Sequence, residues 1–338
     1  MDRIRIGVIG LGFGLQHVRT LVNMPEAHLV AVADRNSAHS GEAVAAQYGA
    51  RAYRDGVEML ENEALDAVSI CTAPHRREEL VECAARNGVA MFVEKPWAFD
   101  VPHAQKLADI CRAHDATVMT GFSFRFHPAV GKLRTLMDAD LGAGWLLSGE
   151  YVFGWIPAAD GWLWKPEGGG GFFNENSCHL LDVICHLLGE PVSVMAEAGA
   201  PQNTPSPNAG AVVIRFANQA MASLILGGVG TPSWREYPRL HLLTEKGEAE
   251  LLGRQHTWER LRWTRRDNAE LHDLVSPPET LSDTRYSHAF RHFFACLRNG
   301  QKPTATLEDG IRSVALAMAI YESAHTGGRV LINRSVSS

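Results

Sequence analysis

A lysine stands where an apolar strand stops. Val89, Ala90, Met91, Phe92 and Val93 read as a buried parallel strand, and Glu94-Lys95-Pro96 follows. Pro96 cannot donate to a strand ladder, so the strand ends there. Open α/β sheets bind ligands at the carboxyl ends of their strands, where Lys95 can reach a substrate oxygen. The competing assignment is a surface lysine at a strand-to-loop junction. A second constellation is Glu175, His179, Asp182 and His186, whose spacing puts them on one helix face. The rest of that helix is apolar, from Cys178 to Leu188. So narrow a polar stripe needs partners or a water-filled cleft, because unpaired buried polar groups are costly. Glu175 can hydrogen-bond His179 and fix its tautomer; the alternative is a satisfied core histidine pair. A metal set of Cys178, His179, Cys185 and His186 is disfavoured, because both cysteines point away from the stripe.

A third constellation is the turn Gly10-Leu11-Gly12-Phe13-Gly14, between the strand Ile4–Ile9 and a helix through His17, Val18 and Leu21. Such a turn lets backbone N–H groups approach a pyrophosphate at a helix N-terminus. Gly10 and Gly12 match the first two glycines of GxGxxG. The third place is Leu15, and Gly14 comes one residue early. Asp34 ends the next strand, where an acid binds the adenosine ribose hydroxyls. It repels a 2′-phosphate and favours NAD; Arg35 beside it softens that preference, with NADP the alternative. Without a ligand the same residues make a tight turn and a helix-capping aspartate.

These residues need elements to hold them. The first half alternates strands (Ile4–Ile9, Leu29–Ala33, Ala67–Cys71, Val89–Val93, Thr117–Thr120) with helices, and one helix stops at Gly88. This pattern predicts an α/β fold with an N-terminal Rossmann doubly wound parallel sheet. The second half carries Gly168 to Gly171, a helix over Ser177–Leu188, and alternating runs at Ala211–Phe216, Ala220–Leu226, Leu240–Thr244 and Glu248–Leu252. It predicts a C-terminal α+β domain with an open, mainly antiparallel sheet. The boundary falls at 1–122 and 123–338, with the terminal helices free to pack back on the first domain.

Composition bounds the partners. The 338 residues favour about two domains, and 46% hydrophobic content supplies a core. A net charge of −6 argues against nucleic acid. No apolar stretch is long enough to span a membrane. A first strand at Ile4 leaves no room for a signal peptide, and six scattered cysteines without a CxxC pair fit a reduced cytoplasmic protein. The runs at 212–216 and 221–226 carry more apolar side chains than one covered sheet face requires, which predicts a homodimer or homotetramer through that sheet.

The chain resembles the Gfo/Idh/MocA family, the glucose–fructose oxidoreductases, inositol dehydrogenases and their relatives. The likeness rests on Gly10-Leu11-Gly12, Asp34, Cys71-Thr72-Ala73-Pro74-His75, Glu94-Lys95-Pro96, the segment Gly121 to Pro128, the segment Gly169 to Asp182, and Tyr321-Glu322-Ser323-Ala324. It implies a dehydrogenase using NAD or NADP on a secondary alcohol or ketone of a sugar, inositol or sugar derivative. Cofactor contacts would come from Gly10, Gly12, Phe13, Gly14, Asp34, Arg35, Thr72, Pro74, His75, Glu94 and Lys95. His179 would move the hydroxyl proton, Lys95 would stabilise the reacting oxygen, and Glu175 would orient His179. Arg125, Trp162, Lys165 and Asn176 are further substrate candidates, with Trp155, Trp162 and Trp164 either stacking on a sugar or core. The family's acid four residues before the histidine is usually aspartate; here it is Glu175, and Ser177 replaces a usual glycine. Some relatives cleave glycosidic bonds through a transient NAD redox cycle, and others are non-catalytic regulators; both remain alternatives.

Overall fold

The computed structural model describes residues 3–36, 41–165, 167–234, 237–254, 256–276 and 281–332. The chain divides into two compact units, 1–122 with 286–311, and 123–285 with 312–338.

The first unit opens with β1 (Ile4–Ile9), α1 (Leu11–Val22), β2 (Ala27–Ala33), α2 (Gly41–Tyr48), β3 (Arg51–Tyr53) and α3 (Gly56–Asn62). It continues with β4 (Ala67–Ile70), α4 (Glu78–Arg86), β5 (Ala90–Val93), α5 (Val101–Ala113) and β6 (Val118–Thr120). All strand pairs are parallel, in the order β3-β2-β1-β4-β5-β6. Strands β4 and β5 are buried along their whole length, as expected where helices cover both faces. The order reverses between β1 and β4, and the crevice beyond their carboxyl ends is the ligand position of such sheets.

The second unit holds α6 (Pro128–Leu136), β7 (Gly144–Val152), α7 (Cys178–Leu188), β8 (Pro191–Gly199), β9 (Ala209–Phe216) and β10 (Met221–Gly227). Strands β11 (Arg239–Thr244), β12 (Gly247–Arg254), β13 (Thr257–Arg265) and β14 (Asn268–Val275) follow. Later in the chain come α8 (Leu281–Asn299), most of which belongs to the first unit, then α9 (Leu307–Thr326) and β15 (Val330–Leu331). The sheet runs β14-β13-β12-β11-β7-β10-β9-β8-β15, with only β7 and β10 parallel. Its inner face, including Leu147, Tyr151, Ile214, Leu224 and Leu251, packs on α7 residues such as Leu180, Val183 and Ile184. Alternation of one buried with one exposed residue along β9 and β10 is what a sheet covered on one side requires.

The sequence boundary at 122/123 puts 286–311 in the second domain but leaves the terminal helices free to pack back on the first. Contacts group 286–311 with the first unit, because Phe290 of α8 stacks on Phe92 at 4.5 Å and meets His17 at 5.2 Å.

Candidate active site

The glycine turn sits where β1 meets α1. Gly10 has φ 89°, a conformation glycine adopts without strain. A Cβ there would lie 3.0 Å from the Cys71 backbone and 3.1 Å from Thr72 N, so the ends of β1 and β4 approach closely because residue 10 is glycine. Gly14 is buried, and a Cβ on it would come 3.1 Å from Val8 and 3.2 Å from Cys71. It performs the close helix–strand packing of the third glycine, which explains how the displaced motif still works. Gly12 and Phe13 are exposed. The first turn of α1 carries no acidic residue, which keeps the positive end of the helix dipole available to a pyrophosphate. Asp34 accepts from Leu11 N–H at 2.5 Å and from Asn36 N–H at 2.6 Å, so its carboxylate is anchored beside the turn. These residues fit a bound dinucleotide. Arg35 instead donates to Asp55 from Nη2 at 2.5 Å and from Nε at 3.1 Å. Burial works against ionisation of Asp55, but Arg35 and the N–H groups of Val57 and Glu58 hold its carboxyl below the ordinary range.

Lys95 follows the buried β5 and is itself half-buried. Its backbone is held from two sides. Glu94, buried, accepts Lys95 N–H at 3.0 Å, and a Cβ at Gly121 would strike Glu94 at 2.9 Å. Arg77, only 1% exposed, donates Nε and Nη2 to Thr72 O at 3.0 and 2.6 Å, and Nη1 to Pro96 O and Trp97 O. This guanidinium therefore ties the Thr72 loop to the Lys95–Trp97 loop. Behind them lies His17, fully buried. Its Nδ1 is 2.7 Å from Ser69 Oγ and 3.4 Å from Cys71 Sγ, and its Nε2 forms an ion pair with Glu94 at 3.1 Å. Burial alone would lower its pKa, but Cys71 and Glu94 outweigh that and raise it to about 10. Pro74 is buried in the short 3₁₀ turn Pro74–Arg76, Thr72 is half-buried, and His75 is exposed.

In the second unit, a π turn, Phe173–Ser177, runs directly into α7. The single α-helical face expected from Glu175 to His186 is therefore interrupted: Glu175 precedes His179 across a wider turn. Such turns often mark functional sites. Tyr321 steadies this entry by accepting Phe173 N–H at 2.9 Å, and a Cβ on Gly171 would strike its hydroxyl at 2.4 Å. The Cys178 thiol donates to Glu175 O at 3.1 Å. His179 stacks on Phe124, with ring centres 4.7 Å apart and planes 20° from parallel. The Arg285 guanidinium covers the Phe124 ring at 5.1 Å. Phe124 thus fixes the plane of the imidazole. Asn176 is buried nearby in the π turn, and Asn174 donates to Gly169 O at 2.8 Å.

Arg125 is engaged within the second unit. Its Nε and Nη2 donate to Asp182 at 2.7 and 2.6 Å, and the two side chains are 5% and 1% exposed. Asp182 therefore finds its partner in Arg125, and this ion pair locks α7 to the 3₁₀ turn Ser123–Phe126. Trp164 is buried, with its Nε1 donating to Ala158 O at 3.0 Å, whereas Trp155, Trp162 and Lys165 are exposed. The sequence reading missed Arg77, Phe124, Tyr151 and His256 as site-shaping residues. Tyr151 OH lies 2.6 Å from His256 Nδ1, and burial pushes the phenol well above its ordinary pKa. His17 was the findable one, a histidine on the apolar face of α1. Arg77 looks like part of a solvated charge run. Among the described residues, no group of His, Cys, Asp and Glu is arranged to hold a metal.

Comparison with known proteins agrees with this architecture. Residues 4–122 match the family described as "Oxidoreductase family, NAD-binding Rossmann fold", and 147–332 match its "C-terminal alpha/beta domain". The chain is similar to D-apiose dehydrogenase of Paraburkholderia graminis, 28% identical over 98% of this chain and 90% of the relative. It is equally similar, at 28%, to inositol 2-dehydrogenase of Rhizobium meliloti, over 95% of this chain and 96% of the relative. An oxidoreductase from Agrobacterium radiobacter, solved with NAD+, L-tartaric acid and magnesium, shares the fold with a TM-score of 0.86 at 19% identity, covering 98% and 99% of the two chains. A glycine turn shaped for a dinucleotide, an anchored Asp34 and a lysine at the end of β5 lie within these matched segments. The chain belongs to the Gfo/Idh/MocA oxidoreductase family, with an NAD-binding Rossmann unit and the family's C-terminal α/β unit.

Proposed function

We propose that the protein is an NAD-dependent dehydrogenase acting on a secondary alcohol of a sugar, an inositol or a related polyol. The observation that carries this reading is the setting of Lys95. It stands at the carboxyl end of a buried strand in the dinucleotide unit, and Glu94 and Arg77 fix the backbone around it. Bound NAD would supply the hydride acceptor. The residues of this chain supply the rest. Lys95 hydrogen-bonds the alcohol oxygen and stabilises the negative charge that develops on it. His179 accepts the hydroxyl proton in oxidation and returns it in reduction, with Phe124 fixing its ring plane and Glu175 orienting it. Asp34 takes the adenosine ribose hydroxyls and Gly10 to Gly14 receive the pyrophosphate. Exposed Trp162 and Lys165 are the substrate-side candidates, and Asn176 adds an amide. Arg125 is left out, because Asp182 engages it.

A second copy of the chain is the proposed partner. On the outer sheet face Met195 pairs across strands with Val213, and Leu146 with Met221; these four and Ile225 are all more than 40% exposed. Exposed apolar side chains on one sheet face favour a dimer or tetramer.

The direct test is a panel of aldoses, polyols and inositols with NAD and NADP, followed by NADH or NADPH absorbance. Stoichiometric NADH release with one class of alcohol is the expected result. Cleavage of a glycoside without net NADH would replace this reading with a transient redox hydrolase.

A further inference from the structure

The adenosine end of the dinucleotide crevice holds two carboxylates and an arginine, and their hydrogen bonds divide the work unequally. Asp34 is fixed by the N–H groups of Leu11 and Asn36 at 2.5 and 2.6 Å. Arg35, its chain neighbour, is the cation placed to answer a 2′-phosphate, yet its Nε and Nη2 both donate to Asp55 Oδ2 at 3.1 and 2.5 Å. Asp55 is itself anchored. Its other oxygen, Oδ1, caps α3 by accepting Val57 N–H at 2.7 Å and Glu58 N–H at 3.2 Å. One carboxylate thus ends a helix with one oxygen and draws away an arginine with the other.

We infer that Asp55 is a second determinant of dinucleotide choice, acting by sequestering Arg35 rather than by touching the cofactor. The inference rests on the dinucleotide crevice and needs no knowledge of the alcohol substrate. Asp34 repels a 2′-phosphate directly and Asp55 removes the cation that would otherwise attract it. Two devices in series would disfavour NADP even with an arginine next to the ribose-binding acid. They also predict that Asp34 alone is a weak lever. Once it is replaced, the phosphate still meets an arginine turned toward Asp55.

The test is a set of binding titrations of NAD and NADP, read by tryptophan fluorescence, on the whole chain. Asp55→Asn keeps the capping oxygen, since asparagine caps as well as aspartate, and discards the charge. Asp55→Ser, another good cap, guards against a fault peculiar to asparagine. In the Asp34→Ser background, Asp55→Asn should tighten NADP by at least about threefold over Asp34→Ser alone, the scale of a partly exposed ion pair. Adding Arg35→Ala should abolish that gain. Asp55→Asn by itself should leave NAD affinity within about twofold. Three results would overturn the assignment. The gain is absent with both Asn and Ser; it survives Arg35→Ala, which would credit the exposed Arg54 or the loss of charge alone; or NAD binding collapses in the Asp55 variants, which would make Asp55 a structural residue.

Discussion

Lys95 and His179 differ in what surrounds them, and that difference sets what their removal should do. Lys95 extends from a backbone held by other residues, so Lys95→Ala removes an ammonium and leaves the loop braced by Glu94 and Arg77. His179 lies against Phe124, and its removal opens one face of that ring. Each alanine variant should lower turnover by about 10²- to 10⁴-fold, the range for a positioned acid–base group. NAD affinity should change far less, because the ribose and pyrophosphate positions lie at Asp34 and Gly10 to Gly14. Glu175→Gln should be milder than His179→Ala, because it retains shape and an acceptor. Steady-state kinetics beside NAD titration checks all three; near-full activity in His179→Ala would make the α7 histidine structural. The places of Lys95 and His179 in the fold were legible because each occupies a position the local pattern defines, a strand end and a helix. The pairing of Arg125 with Asp182 was not legible, because the two lie 57 residues apart and nothing local to either residue reveals it.

Elements join at buried charges here, and the clearest case is the contact of α1 with β5. His17 on α1 and Glu94 after β5 form an ion pair inside the first unit. The folded pKa of His17 is about 10 against an ordinary 6.5, so the folded state binds its proton more tightly than the unfolded chain does. The stability this contributes is fully present below pH 6.5 and is lost as pH rises through about 10. Urea unfolding at intervals across that window should show falling stability in the parent chain. His17→Gln should flatten the fall, and an equal slope in both proteins would contradict the protonated pair. Most Rossmann elements were legible, since apolar runs, turn glycines and helix stops alternate in order; the three-residue β3 and the short α3 were not. In the second unit β7, β8, β13 and β14 were not legible either. In β13 the inward Trp258 and Leu261 sit among Thr257, Glu259, Arg260, Arg262 and Arg265, so charge hides the strand. In β7 the exposed Trp145 and Leu146 sit beside the buried Leu147, which breaks a clean alternation. The π turn ahead of α7 had no signal at all, because local spacing rules assume one helical period.

At the scale of the whole molecule, the open sheet makes association the expected state. Light scattering at micromolar concentration should return the mass of a dimer or tetramer. Val213→Lys with Met221→Lys should shift it toward the monomer, since both apolar side chains are exposed on the outer face of the sheet. A monomeric mass for the parent chain would contradict the proposed interface.

The interleaving of the first unit has a consequence for how the protein is made. Phe92 waits for Phe290 and Phe293; Thr120 waits to donate its N–H to Ala305 O; and Trp97 waits for Gly310. These late residues leave the ribosome after nearly the whole second unit. At about 5–20 residues per second, the nascent Rossmann sheet stays unfinished for roughly ten to forty seconds. During that interval β6 lacks its last partner and an aromatic face is bare, a state chaperones exist to hold. A fragment cut at residue 122 should therefore aggregate or bind NAD poorly. The same fragment joined by a flexible linker to 286–311 should stay monodisperse and bind it, as gel filtration and titration would show. If 1–122 alone folds and binds NAD as tightly as the fusion, the late segment is a covering rather than a part of the fold.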